Sequence, residues 1–198
     1  MRRSPVLAAL IAGASLAASR SLAWDPDTAT AQSLARGGVF ADVTGEAQGV
    51  GLVRAAIDIA APPQLVWRVM TDCRETPKLI TSAAPCRVLS ADPAGAWDVR
   101  EQVTKGGLII PDIRNVYRSD YQPYALIRFH RVAGDLRVEE GEWRLVPLDG
   151  GRGTRVLYLN RLAANLVAPD FLVREGLRRD TPKVLENLRR ECLSKLGR

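Results

Sequence analysis

The sequence predicts an α+β domain in which a curved antiparallel sheet of seven strands wraps around one long C-terminal helix. Three observations carry this. Short runs of alternating apolar and polar residues recur between residues 50 and 161, separated by Gly, Pro and Asp turns. A helical run interrupts them early, just after Pro62-Pro63. The chain then closes with apolar residues spaced three and four apart. A length of 198 residues suits one domain, and 46% apolar with 25% charged residues is an ordinary globular composition.

Residues 1–23 read as a cleavable signal peptide. Arg2 and Arg3 precede an uncharged apolar run from Val6 to Ala18, and Ser21-Leu22-Ala23 offers the small residues of a cleavage site. The run is shorter than the roughly 20 residues a membrane-spanning helix needs. A chain starting near Trp24 is expected in the periplasm or outside the cell. Removing Arg2, Arg3 and Arg20 lowers the formal charge from +6 to +3, and so mild a balance in an exported protein gives no reason to expect nucleic acid. Residues 24–49, rich in Ala, Thr, Asp, Gln and Gly, show no periodicity and read as a loosely ordered lead-in to a domain over 50–198.

The elements follow in order. Val53, Ala55, Ile57 and Ile59 alternate with Arg54 and Asp58 as a half-buried strand. Leu65, Val66, Val69 and Met70 form a helical face behind Pro63, which fits a first helical turn. Arg87–Ala91 is the next strand, followed by the turn Asp92-Pro93-Ala94-Gly95. The strand after it carries Trp97, Val99 and Val103 opposite Asp98, Arg100 and Gln102. Four more runs, 113–121, 125–132, 136–146 and 154–161, meet at Gln122-Pro123, Gly134-Asp135 and Asp149-Gly150-Gly151, the pattern of a meander. In the closing helix Val184, Leu185, Leu188, Cys192 and Leu196 make one stripe, and Pro182 either kinks it or divides it in two.

Four stretches in this order resemble the START-like, helix-grip superfamily, which includes lipid-transfer START domains, polyketide cyclases and the coenzyme Q-binding family. They are Ile59-Ala60-Ala61-Pro62-Pro63-Gln64-Leu65-Val66-Trp67 followed by Thr71-Asp72; Cys86-Arg87-Val88-Leu89; Gly141-Glu142-Trp143-Arg144-Leu145; and Thr154-Arg155-Val156-Leu157-Tyr158. The resemblance spans about residues 50 to 195. It implies an apolar cavity between sheet and helix for a lipid, an isoprenoid quinone or a polycyclic ketide. It brings no catalytic motif that transfers residue by residue, and no cofactor.

The residues themselves offer little classical chemistry. His130 is the only histidine, which excludes a histidine metal cluster, and it sits opposite Phe129 in strand phase. The positive signal is charge in phase with apolar residues. Glu101 shares a face with Trp97 and Val99, Arg131 with Ile127 and Phe129, and Glu139 with Trp143 and Leu145. If those faces are inward, the three charges either orient a ligand's polar end or pair with each other at the rim. Trp67, Trp97, Phe129, Trp143, Tyr158, Phe171 and Leu177 are the expected apolar lining, or else plain core. Leu108-Ile109-Ile110-Pro111 follows Gly106-Gly107 and reads as a lid, a bilayer-dipping tip or a buried strand start. Basic residues around the last helix read as a transient contact with anionic lipid or as a solvated face.

Cys73 and Cys86 are expected either to close a short loop worth about 3 kcal/mol or to stay as buried thiols. The function this supports is binding or transport of a hydrophobic molecule outside the cytoplasm. The alternative is a polyketide cyclase or aromatase using Glu101 or Glu139 as acid or base.

Overall fold

The computed structural model describes residues 24–106, 111–164 and 170–197. The expected signal peptide, and Leu108 and Ile110 of the expected lid, lie outside the described residues.

The elements run α1 (Thr28–Ala35), β1 (Val39–Gly45), β2 (Gly51–Ile59), α2 (Pro63–Thr71), α3 (Thr76–Leu79), β3 (Arg87–Ala91), β4 (Trp97–Thr104), β5 (Ile113–Gln122), β6 (Leu126–Gly134), β7 (Leu136–Leu148), β8 (Gly153–Ala164) and α4 (Asp170–Ser194). All neighbouring strands pair antiparallel, in the order β1-β2-β8-β7-β6-β5-β4-β3. The sheet therefore has eight strands, not the seven expected. The extra strand comes from the stretch read as a loose lead-in. There, Asp27 caps α1 by accepting from the Thr30 amide at 2.7 Å, and β1 pairs along its full length with residues 51–57 of β2. Both faces of β1 pack: Val39 and Ala41 toward α4, Phe40 toward α1. A strand covered on both sides need not alternate, so its sequence carries no period to read.

α2 begins with Pro63 and buries Leu65, Val66 and Val69. These meet Ile57 and Ile59 of β2, Leu145 of β7, Val156 of β8, and Leu185, Leu188 and Cys192 of α4 in the main core. Each such aliphatic side chain stabilises the fold by about 1.5–3 kcal/mol. A second, smaller core lies on the outer face, where Leu34 of α1 packs on Ala56 and Leu157 with Trp24 and Phe40. The Trp24 indole donates to the Tyr158 carbonyl at 3.1 Å, pinning the N-terminal segment to β8.

α4 is a single helix, and Pro182 lies inside it without dividing it. Leu196, assigned to its apolar stripe, lies past the helix end and is 44% exposed. Two of its cations reach the sheet side of the chain, Arg178 donating to the Val43 carbonyl and Arg189 to those of Gly37 and Gly38, and Lys195, just past the helix end, donates to Glu75. A disulfide joins Cys73 to Cys86, whose Cα atoms are 5.4 Å apart, while Cys192 is a buried free thiol. Gly134, with φ at 105°, closes the turn from β6 to β7, where a Cβ would strike the Arg114 backbone.

Candidate functional site

The inner face of the sheet is closed by aliphatic packing at β2, Val156 of β8 and Leu145 of β7, but not from β4 across to Tyr158 and Leu162 of β8. There a cavity of about 370 Å³ remains beneath α4, with α2 and α3 along one wall. Leu177, Val184 and Leu188 form its helical side, and Met70, Leu79 and Ile80 the wall. The volume lies at the lower end of the range for small-molecule pockets.

Strand register decides what the cavity sees. On β5 the odd positions point in, bringing Ile113, Asn115, Tyr117, Ser119 and Tyr121 to the lining. On β4 the even positions face them: Asp98 lies opposite Ser119, Arg100 opposite Tyr117, and Gln102 opposite Asn115. Asp98 and Arg100 are both 7% exposed. The guanidinium holds the carboxylate in a fork at 2.7 to 3.0 Å and also donates to the Thr71 carbonyl at 2.7 Å. Burial works against the charge on Arg100, and Asp98 together with the neighbouring Tyr121 and Tyr117 more than offsets it. This pair is satisfied from within, so the charged phase of β4 turns inward and the apolar phase outward.

That reverses the sequence expectation for one strand. Trp97, Val99 and Glu101 lie on the outer face, where the Arg118 guanidinium stacks 4.4 Å over the Trp97 ring. Glu101 accepts from Arg87 at 3.0 Å and from Arg114 at 2.6 Å, and these arginines hold its carboxyl below the usual range. Arg131 keeps the inward phase opposite Tyr117, but the ladder slips beside it, and its exposed side chain donates to the Gly134 carbonyl. Phe171 is 60% exposed, because it lies in the first turn of α4, before the stretch that packs on the sheet. Trp67 packs edge-on against Tyr121 and Tyr124, behind the lining rather than in it. Phe129, Glu139, Trp143, Tyr158 and Leu177 do line the cavity.

Glu139 is an acid in the cavity lining. Asn115 donates to it from the facing part of β5. Burial pushes its carboxyl up to about 7, and the Asn115 amide only partly opposes this. Three phenols surround the same space. Burial raises Tyr117 to about 12 and pushes Tyr121 and Tyr158 further up, so all three are neutral donors. Tyr158 stacks on Trp143 with ring centroids 3.9 Å apart and accepts from the Asn160 amide at 2.8 Å. Gly141, opposite both Phe129 and Asn160, leaves the space that the Phe129 ring uses; a Cβ there would sit 2.7 Å from that ring. Arg100, Asn115, Tyr117, Ser119 and Tyr121 escaped the sequence reading. The signal was present on β5, where uncharged residues at odd positions alternate with Arg114, Arg118 and Asp120.

A family model described as polyketide cyclase/dehydrase and lipid transport matches residues 59–189. No curated protein matches the chain in sequence. Solved structures share its fold. TTHA0849 from Thermus thermophilus aligns with a TM-score of 0.62 at 22% identity, covering 74% of this chain and 99% of that one. The Zhui aromatase/cyclase from Streptomyces sp. R1128 gives 0.62 at 17%, covering 74% and 96%. Human STARD10 gives 0.65 at 12%, covering 87% and 82%.

Proposed function

The chain belongs to the polyketide cyclase/dehydrase and lipid transport family, and from that premise we propose that it carries or sequesters a hydrophobic small molecule outside the cytoplasm. The observation that carries this is the cavity itself: a space of mainly apolar surface in which the guanidinium of Arg100 is held by Asp98 and the carboxyl of Glu139 by Asn115. The ligand's apolar body would lie against Phe129, Trp143 and Leu177, with its polar end toward Glu139 of β7 and Asn115 of β5. A lipid, an isoprenoid or one ring system of similar bulk fits this description. Lipid transport in the family's description and the aromatase/cyclase activity of Zhui both agree with an apolar guest.

Export is supported by the basic and then apolar leader, by Ala23, and by the disulfide, a bond that persists in oxidising compartments. Every contact described lies at Trp24 or beyond, so cleavage after Ala23 would spare them all. The N-terminus of protein taken from the cell envelope should therefore be Trp24.

One observation favours a cyclase-like enzyme instead: Glu139 holds a proton near neutral pH inside the cavity, as proton transfer requires. Glu101, on the outer face, has no part in that reading. Native mass spectrometry separates the two. A carrier retains an unmodified small molecule, and filling the cavity by Gln102→Trp expels it. Conversion of a bound ketide would establish the enzyme, and a protein that retains no guest from cell extract contradicts both.

A further inference from the structure

Most buried or half-buried carboxylates of this molecule have a cation. Asp98 holds Arg100, Asp58 holds Arg155, and Glu75 holds Lys78 and Lys195. Glu139 has only the neutral amide of Asn115, and among the described residues no cation pairs with it. The groups around it supply no counter-charge. Tyr117 faces it from β5 and Tyr158 from β8, both as buried phenols. Arg100 on β4 is committed to Asp98 and the Thr71 carbonyl. On β6 the inward residues are Phe129 and Arg131, one step past the His130–Glu140 pair, and the exposed Arg131 guanidinium is turned away to the Gly134 carbonyl. Gln102, Thr104 and Ser119 of the lining are uncharged, and Leu177, Val184 and Leu188 of α4 are apolar.

A carboxylate without a partner in such a site is costly, whereas the neutral acid is not. The acid form also adds a hydroxyl donor to those that the phenols, Thr76, Thr104 and Ser119 bring to the lining. A ligand carboxylate or sulfonate would find no free cation among the described lining residues and would meet Glu139 itself as a second anion.

We propose that Glu139, held by Asn115, sets the cavity's ligand class: its protonated carboxyl donates to an uncharged oxygen, of a ketone, quinone or alcohol, on an otherwise apolar molecule. This rests on the cavity being the ligand site, and it adds that the ligand is neutral and that its retention is coupled to a proton. Because the acid form is the binding form, raising the pH through the value for Glu139, about 7, releases the ligand. Loading above that pH takes up one proton.

The test uses 6-propionyl-2-dimethylaminonaphthalene, a neutral apolar ketone whose emission moves to the red when its carbonyl accepts a hydrogen bond. Its dissociation constant for the wild-type protein should rise at least about tenfold between about pH 5.5 and about pH 8.5. In Glu139→Gln, whose amide donates at every pH, the constant should stay flat and the red-shifted emission should persist. Glu139→Leu should also be flat but without the shift. The anion 1-anilinonaphthalene-8-sulfonate should bind wild type at least about tenfold more weakly than the ketone at the lower pH.

A flat profile in wild type, or an unchanged profile in Glu139→Gln, overturns the role of Glu139 while leaving the cavity as the site. Equal binding of the ketone to a folded Gln102→Trp protein, or to Thr104→Trp should the first variant fail to fold, overturns the cavity reading itself. Circular dichroism confirms the fold in each case.

Discussion

The two halves of the inner sheet face share one helix but use it differently. Across β2 and β8, Ala55, Ile57, Ile59 and Val156 meet Leu185, Leu188 and Cys192, and all are buried. Across β4 to β7 the helix faces tyrosines, an asparagine, a glutamate and an ion pair, and a hollow remains. Aliphatic side chains shift rotamers to fill space, and a packed interior results. Rings stacked on each other and polar groups bonded to each other cannot do so without losing those contacts. Trp143 on Tyr158, Arg100 on Asp98, and Asn115 on Glu139 therefore act as props that keep α4 from closing on this half.

The largest expected effect breaks the hollow half. Asp98→Ala leaves the Arg100 guanidinium buried with only the Thr71 carbonyl, which should cost about 3–5 kcal/mol in a denaturant titration. A loss under about 1 kcal/mol would show that water reaches the pair and that the hollow is wetter than drawn. In the filled half, Leu185→Ala should cost about 3 kcal/mol, since that side chain has no exposed surface and its packed neighbours cannot collapse into the gap. Leu177→Ala, beside the cavity, should cost less, and equal losses at the two leucines would erase the contrast.

Glu139→Gln acts the other way. The folded protein keeps the proton to about pH 7, whereas the unfolded chain releases it near the ordinary value of 4.5, so wild-type stability falls as pH rises through that window. Above it the variant should be the more stable by up to about 3 kcal/mol, and below about pH 5 the two should converge. Thermal melts at both ends of the range check the sign. The smallest effect belongs to the outer face. Glu101→Ala should leave ligand content unchanged and stability within the error of a titration, because its arginines stay in water.

How much was legible in the sequence follows the same divide. The antiparallel meander and the closing helix were readable because turns and periodicity are local. β7 was read in its true phase, since Trp143 and Leu145 mark its inner face and carry Glu139 with them. β4 was not. The rule that apolar residues point inward assigned Trp97, Val99 and Glu101 to the cavity, whereas a satisfied Asp98–Arg100 pair occupies that side. Such satisfaction is a matter of two side chains on one strand and a carbonyl at the end of α2, and no single-strand pattern encodes it. β1 was missed for the opposite reason: cores on both faces removed its alternation.

Crystals grown with 6-propionyl-2-dimethylaminonaphthalene give the most direct trial of the hollow half. Density for the ring system is expected between Phe129, Trp143 and Leu177, with the carbonyl oxygen against Glu139. Density confined to the outer face, or Tyr117, Phe129 and Trp143 closed onto α4 with no room between them, would contradict it.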